Sequence, residues 1–373
     1  MLKMISRKIR NVYIRIVLRF FTKKNNIVNK KFNIEDSDIF KKFQKFINNQ
    51  IEYNVEFMKL DNLELWHKWV GAQYYNGDLY AIPNDETKIL KYGFREISYI
   101  EDIREGSFKW TGGCIWDGIL YAFPRTANSF LKIKNGRCEE VPISIKYDSE
   151  HHYSGVCTVD GIVYQPPRNT NHILKTDLKT GISTKIFIIE DKFKIKLRYC
   201  GSILHPNGFI YLFPESHNRV IKLDPETDNW CFIGQRISSM CFDAKIGNDG
   251  NIYGFTSINN GIFKIDVNSE KVEIIHREIT PGAYGTKYGI NGCLYSVPGI
   301  GKYIYKYDVY NDKVEIIYNV GKTVKAKYAG GVTLPNGIII CVPAEDNSIL
   351  IFRPNKMLKI PEDVFEQFYV DCY

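Results

Sequence analysis

Five basic side chains recur at one place in a repeating phrase. Lys68, Lys109, His152, Arg198 and Lys327 each stand immediately before an aromatic residue, and Cys241 and Ala283 fill that place in two further copies. Cations brought together from equivalent positions would form a ring suited to an anion, because charge-assisted hydrogen bonds to carboxylate, sulfate or phosphate exceed neutral ones. Trp69 and Trp110, next in the chain, would add flat stacking surfaces, with Trp66 nearby. Arg125, Arg168, His172, His217, Arg219 and Lys302, in later connections, are expected on the same face. Glu86, Glu215 and Glu345 in those connections are the carboxylates available to pair with them.

Other chemistry finds little footing. The seven histidines, His67, His151, His152, His172, His205, His217 and His276, include no H-E-x-x-H and no close partnership with cysteine, so no metal site is expected. No P-loop, dinucleotide fingerprint or Ser-His-Asp arrangement is legible from spacing, and no cofactor is expected. Nine cysteines occur without a C-x-x-C pair. Cys114, Cys157, Cys293 and Cys341 sit in apolar stretches and read as small buried hydrophobes in a reducing, intracellular setting.

The net charge of +8 is unevenly placed. Residues 1–31 hold ten Lys/Arg and no acid, which leaves residues 32–373 slightly negative. No nucleic-acid partner is therefore expected. Within 1–31, Ile5, Ile9, Val12, Tyr13, Ile16, Val17 and Phe20 share one helical face, flanked by Lys8, Arg15 and Arg19. That pattern predicts a helix lying in a membrane interface, its basic rim drawn to anionic lipid. Arg15 and Arg19 interrupt any signal-peptide core, and no run of about 18 uncharged apolar residues exists to span a bilayer. A cytoplasmic protein, peripheral at a membrane, is the expectation. A second helix is predicted within 32–54, where Ile39, Phe40, Phe43, Phe46 and Ile47 make one stripe for packing. Residues 356–373 read as a C-terminal extension.

The elements that must position the cations come from an internal repeat. Gly-x-apolar-Tyr occurs at Gly77–Tyr80, Gly118–Tyr121, Gly161–Tyr164, Gly208–Tyr211, Gly250–Tyr253 and Gly292–Tyr295, with Gly337–Ile340 as a seventh copy. The glycines lie 41, 43, 47, 42, 42 and 45 residues apart. A proline follows three residues after the aromatic in six copies, and Thr256 replaces it in the fifth. An aromatic precedes each glycine by eight residues, or by nine before Pro-Asn-Gly at 206–208 and 335–337. Asn/Asp-Gly supplies the positive φ of a tight hairpin, alternation predicts strands, and proline ends a strand where no ladder donor is needed. Four short strands per unit, seven times over, predict an all-β, seven-bladed β-propeller over 55–355 with short N-terminal helices. "VEFMKL" at 55–60 stands in register to close the seventh blade, with "NKMLKI" at 355–360 as competitor.

The phrase (aromatic)-x-G…N-G-x-I-Y-x-x-P…L-K-I-D resembles that of the seven-bladed repeat propellers that include kelch-like and YncE-like proteins. The resemblance implies architecture and leaves chemistry open. Two functions stay in view. One is a binding module that recognises an anionic small molecule, acidic glycan, phosphorylated group or acidic protein segment through Lys68, Trp69, Lys109, Trp110, His152, Arg198 and Lys327. The other is a propeller lyase or hydrolase acting on a polysaccharide-like substrate.

Overall fold

The computed structural model describes residues 51–60, 66–93, 96–100, 103–145, 152–188, 199–215, 219–258, 261–321 and 325–355. The helices expected before residue 51, the C-terminal extension and Arg198 lie outside the described residues. Seven four-stranded antiparallel sheets follow one another along the chain. The first strand of each, such as Trp69–Tyr75 and Trp110–Trp116, is innermost and touches the first strands of the neighbouring sheets. This is a seven-bladed propeller. The ring closes on the seventh blade, where Tyr53–Lys59 pairs antiparallel with Ser348–Pro354 as the outer strand. The strand therefore begins inside the segment expected as helix, 32–54, because Tyr53 to Lys59 supply the missing ladder to an otherwise open edge.

The repeated phrase is a local clamp. In each of the six Tyr copies the tyrosine is buried between blades. Asn207, Asp249 and Asn291 cap their own turns by accepting from the backbone N–H two residues on. The same side chains meet the hydroxyl of the tyrosine four residues on, Tyr211, Tyr253 and Tyr295, at 2.9, 2.7 and 2.7 Å. Across the ladder each tyrosine faces a lysine, which from the third copy on is that of Lys-x-Asp, as Tyr164 faces Lys175 and Tyr253 faces Lys264. Those ammoniums lie 5.5 and 5.7 Å from the ring centres, within cation–π range. The aspartate then caps the next turn: Asp224 accepts from Glu226 N and Asp308 from Tyr310 N.

Hairpin length sets which side chain faces the axis. In blades one and two, two residues join the inner strands, and Tyr75 pairs with Asp78 and Trp116 with Ile119. The other five turns hold one residue more, closed by bonds such as Thr158 N–H to Ile162 O and His205 N–H to Phe209 O. Blades four and seven absorb the extra residue by moving their aromatic back one place, so Tyr199 lies opposite Pro214 and Tyr328 opposite Pro343. These match Trp69 opposite Pro83 and Trp110 opposite Pro124. Blades three and six do not adjust. There His152 and Ala283 fall opposite the proline, and Tyr153 and Tyr284 are displaced by one residue. Because side chains alternate along a strand, a one-residue slip turns a side chain to the other face. Tyr153 and Tyr284, together with Phe242 of blade five, thus line the central channel.

Candidate functional site

Of the expected cationic ring, the described members Lys68, Lys109, His152 and Lys327 do not line the channel. Lys68 and Lys109 are buried between blades, and each reaches back to the blade before it. Lys109 Nζ donates to Glu86 O and Gly106 O at 3.0 Å each, and Lys68 Nζ donates to Asn347 Oδ1 at 3.3 Å. Half-buried Lys327 does the same, donating to Gly301 O and Gly321 O. Burial lowers all three ammoniums from the ordinary lysine value. Lys109 and Lys327 latch onto loop carbonyls and Lys68 onto a loop side-chain amide, which offsets the cost of burying these cations.

His152 belongs to a different set. It occupies the Trp69 slot, and its Nε2 donates to His172 O at 3.3 Å, as Trp110 Nε1 donates to Ser129 O at 2.8 Å. Trp69 and Trp110 are fully buried in core clusters rather than presented to a ligand. Among the connection residues, His172 packs against the His152 ring at 5.0 Å, Arg219 covers Phe232, and Lys302 covers Tyr303. His217 lies outside the described residues. Two of that group do reach the channel: Arg125 and Arg168.

These two share one register position, the residue after the repeat proline, which in blade four is Glu215. The channel beneath them encloses about 380 Å³. Arg168 Nη2 donates to Glu215 Oε1 at 3.1 Å, so its charge is compensated. Arg125 differs. Its guanidinium lies 4.3 Å from the Phe108 ring centre and 5.3 Å from that of Tyr153. Among the described residues it makes no side-chain hydrogen bond and no ion pair. Burial lowers its pKa from the ordinary arginine value, and with an intrinsic value so high it stays charged. Arg168 lies 4.8 Å from the same Tyr153 ring, so one tyrosine steadies both cations.

Aromatic contacts continue around the wall: Tyr153 to Phe242 at 5.8 Å and Phe242 to Tyr284 at 4.9 Å. At the mouth, His67 and Phe108 hold φ of +48° and +56°, unusual for such side chains. Such a conformation costs on the order of 1–3 kcal/mol and persists where the surroundings impose it. Asp85 Oδ1 does so by accepting from Phe108 N at 2.7 Å, while Thr126 Oγ1 donates to Phe108 O at 2.9 Å. Further along the wall, Asp243 Oδ2 accepts from Lys287 Nζ at 3.0 Å, and Lys245 Nζ lies 3.5 Å from Oδ1. Burial works to raise the Asp243 carboxyl, yet the two lysines outweigh it and hold it below the usual carboxylate range. Among the described residues no group of three or more His, Cys, Asp or Glu is placed to hold a metal ion.

No protein-family model and no curated protein sequence matches the chain. Among solved structures, a streptogramin B lyase matches with a TM-score of 0.68 at 15% identity, over 81% of this chain and 98% of its own. Virginiamycin B lyase from Staphylococcus aureus, in a catalytically inactive form with quinupristin, gives 0.67 at 16% identity, over 81% and 99%. The extracellular domain of a hybrid two-component system from B. thetaiotaomicron gives 0.58 at 13%, over 79% and 39%. At such identities the likeness shows the fold alone.

Proposed function

We propose that the protein is a propeller binding module that recognises an anionic ligand at the Arg125 mouth of its channel. One observation carries this reading: a guanidinium at the rim of a cavity that packs on two rings and, among the described residues, makes no ion pair or side-chain hydrogen bond, Asp85 and Glu215 acting on it only at longer range. An Arg fork left open in that way suits a carboxylate or another oxyanion. The test is calorimetric titration of the full chain with citrate and inorganic sulfate at 20 and 200 mM salt. Binding should weaken with salt and fall at least about tenfold in Arg125→Ala. Equal binding by both proteins would count against it. The basic N-terminal face supports a further proposal, that residues 1–31 carry the module to anionic membrane surfaces in the cytoplasm. Kinship with kelch-like and YncE-like propellers is likewise proposed on the repeat phrase.

A second reading is catalysis in the same channel. It is favoured by the lyases among the structural matches and by the Asp243–Lys287 pair on the wall. Turnover of quinupristin that disappears in Asp243→Asn would support it over a binding role.

A further inference from the structure

The walls around Arg125 narrow the choice of ligand. Phe108 is 37% exposed at the mouth although its backbone is forced into the left-handed region to put it there. Ile258, 52% exposed, and Met240 line the same cavity, and Phe242 and Tyr284 continue the apolar surface inward. Thr111 Oγ1 and Ser202 Oγ belong to wall residues but are buried behind the surface. Gln73, Ser154 and the Asp243–Lys287 pair supply polar groups elsewhere on the wall, whereas beside Arg125 a flat hydrocarbon finds ring edges and faces on several sides.

Charge narrows the choice again. Arg168 is already bound to Glu215, so among the described residues lining this mouth a tetrahedral dianion would find one guanidinium without an ion pair. A single planar carboxylate matches the Arg125 fork. The cavity volume, about 380 Å³, lies near the lower end of the ~300–1,000 Å³ range for small-molecule sites, which favours a compact ligand over a polymer.

We propose that the channel takes a singly charged carboxylate borne on a flat aromatic body. Arg125 receives the carboxylate, while Phe108, Phe242 and Tyr284 receive the ring. This rests on the anion reading above and names its ligand class.

The test is calorimetric titration of the full chain with four probes: 1-naphthoate, its neutral counterpart 1-naphthalenemethanol, D-glucuronate and inorganic phosphate. Naphthoate is expected to bind at least about tenfold more tightly than each of the others. Arg125→Leu and Phe108→Ala should each reduce its affinity by at least about tenfold, with circular-dichroism melts showing both variants folded. Arg125→Lys, which keeps the charge and loses the fork, should fall between wild type and Arg125→Leu. Glucuronate or phosphate binding as tightly as naphthoate overturns the aromatic body and leaves the anion site standing. Naphthalenemethanol binding as tightly as naphthoate overturns the carboxylate assignment. Absence of binding by all four probes, or naphthoate binding unchanged in both folded variants, overturns this proposal and the anion reading together.

Discussion

Tyr211 shows what a single repeat residue contributes. Its ring is fully buried between blades, its hydroxyl accepts from Asn207 at 2.9 Å, and it faces Lys222 across the ladder. Removing it would leave a cavity between the blades and take away the turn's hydrogen bond to the hydroxyl. Tyr211→Ala is therefore expected to cost about 3–5 kcal/mol, the range for buried aromatic truncation. Urea unfolding of the variant measures this, and a loss below about 1 kcal/mol would contradict interblade packing. Arg125 is the opposite kind of residue. Its guanidinium packs on Phe108 and Tyr153 but makes no hydrogen bond or ion pair among the described residues, and the latching at this corner is done by the backbone, with Arg125 N–H donating to Lys109 O at 2.9 Å. Substitution there should act on binding and leave stability nearly unchanged.

The inner strands meet most closely where glycine permits it. Gly71 has φ +84°, and a Cβ added there would lie 2.9 Å from Gly112 Cα, which is backbone and cannot step aside. Gly77, in the adjoining turn, has φ +89° but open space around the same added atom. The pair separates two costs. Gly77→Ala should destabilise by about 1–2 kcal/mol from the left-handed conformation alone. Gly71→Ala should cost more, because the inner strands of blades one and two must also move apart. Thermal unfolding of both variants decides it, and equal losses would show that the axial contact is slack. Hairpin length is the other decision made at this scale. The extra turn residue in blades three and six, uncorrected by the spacing of their aromatics, puts rings into the channel rather than the core.

At the scale of the molecule, the ring is closed by chain from the N-terminal side. Seven register pairs from Tyr53–Pro354 to Lys59–Ser348, with Arg353 bonded to Glu56 at 3.0 Å, join the two ends of the propeller. The basic segment 1–31 precedes that closing strand. If it is an interfacial anchor, full-length protein should float with phosphatidylserine vesicles at low salt and be released at high salt. Protein lacking residues 1–31 should stay in solution. Equal flotation of both proteins would remove the anchor. No helix among the described residues is long and apolar enough to cross a membrane.

The repeat period, the number of blades and the four-strand pattern were legible in sequence because their causes are local. A positive-φ turn, an alternating strand and a terminating proline each act within about ten residues, and recurrence multiplies the signal. Val55 standing fourteen residues before Trp69 pointed to the closing strand for the same reason. The site was less legible. Aligning on the aromatic put His152 in one class with Lys68, whereas the ladder puts it in the class of Trp69. Counting back from the glycine and allowing for turn length would have separated them, and the residue after each proline would have picked out Arg125, Arg168 and Glu215. What no count along the chain could supply was which cation lacks a partner. Glu215 compensates Arg168 from the next blade, while Asp85 and Glu215 act on Arg125 only at longer range, with no ion pair among the described residues. That difference depends on distances between residues more than forty apart in sequence, and only the closed ring fixes them.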